Sequence, residues 1–206
     1  LTLIGQCDSP FVRRVAIAQT ASAIPFAHLS WSVFGDADRL RPINPLVRVP
    51  TLILESGTVL VDSHAMLDHI DRHAATPLRP ESGSERDAAL RIEGLATGMA
   101  EKAVSLFYEL HLHQHVSDLW AERCRDQIAG AAHALDAEAR GRPPLCWFGG
   151  RLTHADIALA AAWRFVHEAH PGLLSDAALP TLAAHAAALE AQPVFQAIAQ
   201  PFIPPA

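Results

Sequence analysis

A serine stands directly before a proline near the start of the chain, in the run Ser9-Pro10-Phe11-Val12. Serine is preferred at helix N-caps and proline at the first helical position, so we expect a helix to begin at Pro10. The free amides and positive dipole end of such a helix stabilise an anion. A Ser9 hydroxyl at this point could donate a hydrogen bond to a bound thiolate and lower the pKa of the thiol. On this motif alone, an ordinary helix cap is the alternative.

The second motif, residues 44–51, reads Asn-Pro-Leu-Val-Arg-Val-Pro-Thr and enters an apolar run. A proline at the start of a strand marks an edge or a special turn, and a cis bond is one way to build it. A cis Val49-Pro50 bond would leave the Val49 amide and carbonyl free to pair with an extended, peptide-like ligand. Most such bonds are trans, so an ordinary trans proline is the alternative.

The third motif is the pair Asp62-Ser63, placed before a segment of helical period. A serine hydroxyl and helix-start amides suit a carboxylate, whereas an aspartate suits an amine. The pair could therefore hold both charged groups of an α-amino acid. Alone, it is equally an N-cap.

The elements that must position these motifs form an α/β pattern over the first 75 residues. Short apolar runs at 1–4, 26–31, 51–54 and 59–61 predict strands, and the last two flank a glycine-containing loop typical of a β-hairpin. Helical periods predict helices from Pro10 to about Ala21 and from Ser63 to about His73.

Proline, glycine and serine concentrate around residues 76–83, and strand signals are absent beyond them. We therefore predict a first domain at 1–76, a linker at 77–83 and an all-helical C-terminal domain at 84–206. Its helices are expected at about 84–115, 117–140, 153–167 and 178–191. The run from Leu152 to Ile157 predicts a capping box, in which Asp156 reaches back to the Thr153 amide.

The three motifs, in this order and followed by a linker and helices, resemble the bacterial cytosolic glutathione S-transferases over essentially the whole chain. The resemblance implies a thioredoxin-like β-α-β-α-β-β-α domain followed by a helical bundle. It also implies an enzyme that conjugates the thiolate of glutathione, its cosubstrate, to an electrophilic small molecule in detoxification, with Ser9 as the catalytic residue that stabilises the thiolate.

The resemblance assigns further residues to glutathione. The Val49 backbone beside Pro50 would meet the cysteinyl unit, and Asp62 and Ser63 the γ-glutamyl end. Arg48 stands where a basic residue often reaches the glycyl carboxylate, and Phe11 lies two residues after Ser9 at the helix start.

Tyr108 and His111 are expected to line or neighbour the cleft between domains, where the family binds its electrophile. His111 and His115 would share one helix face at a spacing that can chelate a metal. No cysteine or paired carboxylate lies near them in sequence, so we expect no metal site.

Cys7 lies two residues before Ser9 and is open to two interpretations. A nearby helix N-terminus could lower its pKa and make the protein a thiol transferase. An inert loop or buried thiol is the alternative, because Ser9 occupies the position directly before the proline where glutaredoxin-like proteins keep their reactive cysteine.

Composition excludes several classes of protein. The 206 residues are half apolar and carry a net charge of −6, with no basic block of the kind that nucleic acid or an anionic membrane would require. Three scattered cysteines and the absence of a leader-like start favour a cytoplasmic protein. Because Leu1 is not Met, we expect that one or more residues precede it. The resemblance further implies a homodimer.

Two alternatives to conjugation stay open. One is a binding or regulatory protein of the same fold with little transferase activity, since fold does not determine function. The other is a glutathione-dependent isomerase, dehalogenase or peroxidase, which would differ in the electrophile pocket.

Overall fold

The computed structural model describes residues 1–81 and 83–204, and the chain divides into two compact units. The first comprises Leu1–Arg79 together with the C-terminal segment that begins at Pro193, and the second comprises Pro80–Gln192. The strands are β1 (Thr2–Ile4), β2 (Ala27–Leu29), β3 (Thr51–Ile53) and β4 (Val59–Val61). The helices are α1 (Pro10–Ala21), α2 (Ala37–Leu40), α3 (Ser63–His73), α4 (Gly83–Leu112), α5 (Asp118–Ala139), α6 (His154–Ala169), α7 (Pro180–Glu190) and α8 (Pro193–Ala197).

The fold class expected from the sequence is confirmed: a small mixed sheet with helices, followed by a helical unit. The sheet order is β2-β1-β3-β4, with β1 parallel to β2 and antiparallel to β3. The expected hairpin joins β3 and β4, and the Leu54 amide donates to the Thr58 carbonyl across it at 2.9 Å. Gly57 supplies the positive φ of +83° that this turn requires.

The core of the first unit contains the contact between α1 and α3, and α3 also contacts β4. α3 buries the apolar face read from the sequence. α1 is buried on nearly all sides, with Arg13, Arg14 and Gln19 among its buried residues. The buried side chains include Leu3, Ile4, Val12, Val15, Leu52, Met66, Leu67 and Ile70.

The units divide at Arg79/Pro80, inside the stretch proposed as a linker, of which Ser82 lies outside the described residues. One placement differs from the prediction. The segment from Pro193 was expected in the helical domain, yet its contacts are with the first unit, because Arg13 of α1 donates to the carbonyls of Phe195 and Ile198. Pro205 and Ala206, the end of the predicted C-terminal domain, lie outside the described residues.

In the helical unit, α4 packs against α5 and α6, and most of α6 is buried. The capping box at the start of α6 matches its sequence: one Asp156 carboxylate oxygen accepts from the Thr153 amide at 2.9 Å and from its hydroxyl at 2.6 Å. No helix in the described part of the chain is long and apolar enough to cross a bilayer.

The expected helix of about 84–115 ends earlier, at Leu112, so the prediction that His115 shares a helix face with His111 is wrong. The buried Glu109 carboxylate explains the difference. It accepts from the Ser117 amide at 2.6 Å and meets His113 Nδ1 at 2.9 Å, and these bonds turn the chain toward α5.

Gly5→Ala is expected to lower the free energy of unfolding by about 3 kcal/mol, because a Cβ at this φ of +135° would lie 2.5 Å from Val12 Cγ2 and 2.8 Å from Val49 Cβ. Urea unfolding measures the loss. The matched control is Gly35→Ala, since a Cβ at Gly35 meets nothing within 4 Å. Equal effects of the two substitutions would contradict this account of Gly5.

Candidate functional site

The register of the sheet brings the three sequence motifs to one end of it. Ile4 pairs with Thr51, and Thr51 pairs with Val61, so these three residues form one row across β1, β3 and β4. Each motif adjoins a member of this row: the loop to Ser9 follows Ile4, Pro50 precedes Thr51, and Asp62 follows Val61. Neighbouring strands lie about 5 Å apart, so residues distant in sequence converge on a single edge.

Ser9 is the N-cap of α1, as the sequence predicts, and its side chain is half-buried. Its carbonyl accepts the first helical bond from the Arg13 amide at 2.9 Å. Its hydroxyl oxygen accepts from the Val12 amide over a long 3.5 Å, which uses a lone pair and leaves the hydroxyl proton available for donation. Pro10 has no amide, so the half-buried Phe11 carries the first free N–H at this helix end.

The Val49-Pro50 peptide bond is cis, and Pro50 is buried at the start of β3. Among the described residues, no hydrogen bond uses the Val49 amide or carbonyl. Arg48 is exposed beside it. The loop therefore offers one backbone donor, one backbone acceptor and a guanidinium, which suit a peptide that ends in a carboxylate.

Asn44 organises this loop, a role that sequence reasoning missed. The side chain is fully buried; its Nδ2 donates to the Arg48 carbonyl at 3.0 Å and to Thr51 Oγ1 at 2.8 Å, and its Oδ1 accepts from the Leu46 amide at 3.0 Å. Thr51 Oγ1 also donates to the Arg48 carbonyl at 2.8 Å. The signal was present in the sequence as the sole asparagine, placed directly before a proline.

Asp62 caps α3 and takes a φ of +86°, a conformation that non-glycine residues rarely adopt. Its Oδ1 accepts from the His64 amide at 2.7 Å, and the residue is exposed. Ser63, by contrast, is 5% exposed at the first helical position. A carboxylate, a hydroxyl and helix-start amides thus lie together, which is the donor and acceptor set that an α-amino acid needs.

The structure favours the inert interpretation of Cys7. Burial raises the pKa of this thiol from 9.0 to about 11, against a smaller lowering effect of Arg13. The Cys7 Sγ lies 3.8 Å from His28 Nε2, which in turn donates to the Gly5 carbonyl at 2.7 Å. At neutral pH Cys7 is a protonated thiol, which is a poor nucleophile.

Tyr108 and His111 lie in the last turns of α4, in the helical unit, and both are exposed. The His111 ring stacks on Phe107 with the ring centroids 4.1 Å apart, and its Nδ1 lies 2.9 Å from the Phe107 carbonyl. In the described ranges 1–81 and 83–204, no three His, Cys, Asp or Glu side chains are grouped as metal ligands.

Two sequence models of one family match the chain. Residues 3–78 match the N-terminal domain of glutathione S-transferase and residues 118–188 match its C-terminal domain, together more than two thirds of the chain. Glutathione S-transferase U6 of Arabidopsis thaliana is 26% identical over 72% of this chain. The chain spans between 40% and 63% of the length of the first curated relatives it matches.

Solved structures cover nearly the whole chain. A glutathione transferase family member from Pseudomonas fluorescens Pf-5, with bound S-(propanoic acid)-glutathione, is 30% identical, covers 96% of this chain and 97% of its own, and superposes with a TM-score of 0.83. A glutathione S-transferase from Methylobacterium radiotolerans in complex with glutathione sulfonate is 28% identical, covers 100% and 98%, and has a TM-score of 0.87.

Asn44→Ala is expected to lower the free energy of unfolding by about 2 kcal/mol, because it leaves the Leu46 amide without its partner and removes one of the two donors to the Arg48 carbonyl. Chemical denaturation tests this expectation. Ser56→Ala is the control in the same unit. It removes two exposed contacts of the Ser56 hydroxyl, with Thr58 Oγ1 at 3.0 Å and with the Thr58 amide at 3.3 Å, and should change stability by less than about 0.5 kcal/mol. A loss for Asn44→Ala as small as the control's would refute its organising role.

The raised pKa of Cys7 predicts a loss of stability in alkali. The native protein holds the thiol proton more tightly than the unfolded chain, so this stabilisation is complete below pH 9.0 and is lost as the pH rises toward about 11. Urea unfolding over that range should show a steeper decline for the wild type than for Cys7→Ala. If the free energy of unfolding fell in parallel with pH in the two proteins, the folded state would not raise the pKa of the Cys7 thiol.

Proposed function

Because this chain belongs to the glutathione S-transferase family, we propose that it binds glutathione and transfers the glutathione thiolate to an electrophilic small molecule. One observation carries the proposal: the row Ile4, Thr51 and Val61 gathers the helix start at Ser9, the open Val49 backbone and the Asp62-Ser63 pair at one sheet edge. Glutathione carries matching groups in the same order: the cysteinyl thiol for the helix start at Ser9, the cysteinyl backbone for Val49, and the γ-glutamyl α-amino acid group for Asp62 and Ser63.

The binding residues divide by the chemistry of their groups. The Val49 amide and carbonyl would pair with the cysteinyl backbone in the manner of an added strand. Asp62 would accept from the γ-glutamyl ammonium, while Ser63 and the start of α3 would hold its carboxylate. Arg48, exposed next to Val49, would pair with the glycyl carboxylate. Phe11 would contribute its free amide beside Ser9.

Ser9 would serve as the catalytic residue. Its oxygen already accepts from the Val12 amide, so the remaining hydroxyl proton can point to a sulfur, and a donor aimed at an anion favours the charged form. The positive end of α1 acts in the same direction. Glutathione supplies the nucleophile when bound: its sulfur forms a bond to carbon while the leaving group departs with its electron pair. We assign contact with the electrophile to Tyr108 and His111, whose side chains are exposed.

Activity assays separate the alternatives. A protein of this fold that binds glutathione without turning over any electrophile is a binding or regulatory protein. Isomerisation, reductive dehalogenation or peroxide reduction would use the same thiolate with another acceptor. The raised pKa of Cys7 disfavours this thiol as the nucleophile in any of these reactions.

The proposal also covers the cellular location and the oligomeric state. A cytoplasmic homodimer is the arrangement that the family resemblance implies. Sedimentation of the purified chain tests the oligomeric state, and a monomer at micromolar concentration would refute it.

The direct test is an ultraviolet titration of glutathione into the protein at neutral pH. We expect a saturable thiolate absorbance in the wild type and, in Ser9→Ala, a thiol pKa raised by one unit or more, with kcat reduced about tenfold to a hundredfold. Ser9→Ala should lower the free energy of unfolding by only about 1 kcal/mol.

The matched control is Ser117→Ala, because Ser117 caps α5 in the same way and accepts from the Trp120 amide at 3.3 Å. It should lose comparable stability and keep the thiolate signal. A folded Ser9→Ala protein with unchanged activity would refute the role of Ser9. Absence of binding to the wild type at millimolar glutathione would refute the proposed function.

A further inference from the structure

The loop between β1 and Ser9 is held from two sides. On one side β2 holds its first residue: the Gly5 amide donates to the Leu29 carbonyl at 2.9 Å, and His28 Nε2 donates to the Gly5 carbonyl at 2.7 Å. Within the loop, the Ser9 amide donates to the Gln6 carbonyl at 3.2 Å. These bonds define the ends of the loop and leave Cys7 and Asp8 between them.

The other side is held by the C-terminal segment, nearly the whole sequence away. The Cys7 amide donates to Gln200 Oε1 at 2.8 Å, and the Ile203 amide donates to Asp8 Oδ2 at 3.1 Å. The two residues directly before Ser9 therefore each have a partner in the segment 200–203. Cys7 lies outside every strand and helix, and its amide finds its partner in a side chain distant in sequence.

Arg13 anchors the same segment to α1. Its side chain is 2% exposed, and its guanidinium donates to the carbonyls of Phe195 and Ile198, each at 3.2 Å. These carbonyls belong to α8 and the residues just after it, where a cation satisfies acceptors that have no helical partner. The fully buried Phe195 ring lies 5.9 Å from the guanidinium carbon. The segment is thus attached on both sides of Ser9, at residues 7–8 and at residue 13.

We propose that the C-terminal segment 198–203 is a clamp that sets the position of Ser9 toward the bound thiol, with Gln200 as its positioning residue. The inference rests on the function proposed above. Gln200 would act through the Cys7 amide that it holds, and the chain from Cys7 to Ser9 has only two peptide links in which to absorb a displacement. A misplacement of about 1 Å can cost an enzyme about a hundredfold in rate. The loss of the bond between Gln200 and the Cys7 amide is therefore enough to change the rate measurably.

The clamp also explains why the C-terminal segment packs with the first unit instead of the helices that precede it in sequence. A site residue on a short loop gains precision when a second chain segment bonds to the same loop, because each added bond removes a direction of movement. In this chain the bonds come from one side-chain amide and one backbone amide.

The experiment compares Gln200→Ala with Gln196→Ala. Gln196 is exposed on α8, and its side chain makes no hydrogen bond within the described residues. For Gln200→Ala we expect a raised pKa of the bound glutathione thiol, followed by ultraviolet absorbance against pH, and a kcat reduced about tenfold or more with a smaller change in the KM for glutathione. Gln196→Ala should match the wild type in all three. An unchanged thiol pKa and kcat in Gln200→Ala would overturn the clamp.

Amide hydrogen exchange tests the clamp without glutathione. The Cys7 and Ser9 amides should exchange at least about tenfold faster in Gln200→Ala than in the wild type. Gln200→Glu keeps an acceptor of the same length and should retain the protection. Faster exchange at Cys7 alone, with Ser9 unchanged, would overturn the proposal that Gln200 positions Ser9. A wild type without any thiolate signal refutes the proposed function instead, and the exchange result then stands separately.

Discussion

At Gly5 the end of β1 passes so close to the proline loop that even a methyl group would lie 2.8 Å from Val49 Cβ and 2.5 Å from Val12 Cγ2. Only glycine, which has no side chain, allows this approach. The φ of +135° at this position favours glycine as well. The contact sets how far the start of α1 lies from the open backbone of Val49. A larger separation would leave the hydroxyl at the helix start and the donor and acceptor of the loop too far apart for one small ligand.

Two kinds of support maintain this approach, and both are polar. The side-chain amide of the fully buried Asn44 forms hydrogen bonds with the Arg48 carbonyl, the Thr51 hydroxyl and the Leu46 amide in the loop that follows it. The C-terminal segment satisfies the Cys7 amide and is itself fastened by Arg13. Because hydrogen bonds are directional, these contacts define the geometry of the loop more sharply than apolar packing alone would. Such definition suits the proposed role of Ser9, in which its hydroxyl is aligned with the sulfur of glutathione.

Much of the fold could be predicted from the sequence. The starts of α1 and α3 follow from their N-caps, Ser9 with Pro10 and Asp62, because capping depends on a few neighbouring residues. The β3–β4 hairpin follows from apolar runs around a glycine. The end of α4 could not be predicted, since its apolar and helix-forming residues continue past Leu112. The turn there depends on bonds from Glu109 to His113 and Ser117, which compete with the helical pattern.

By itself the sequence determined the local chemistry of this protein: a serine at a helix start, a proline loop with a basic residue, and an acidic residue with a serine at a second helix start. These are short-range features, governed by backbone conformation over a few residues. Only the tertiary structure decided that strand register places them on one edge, that burial keeps the Cys7 thiol protonated, and that residues near 200 hold the loop before Ser9. The physical reason is that pairing, desolvation and long-range hydrogen bonds depend on which segments meet, and no single segment encodes its partner.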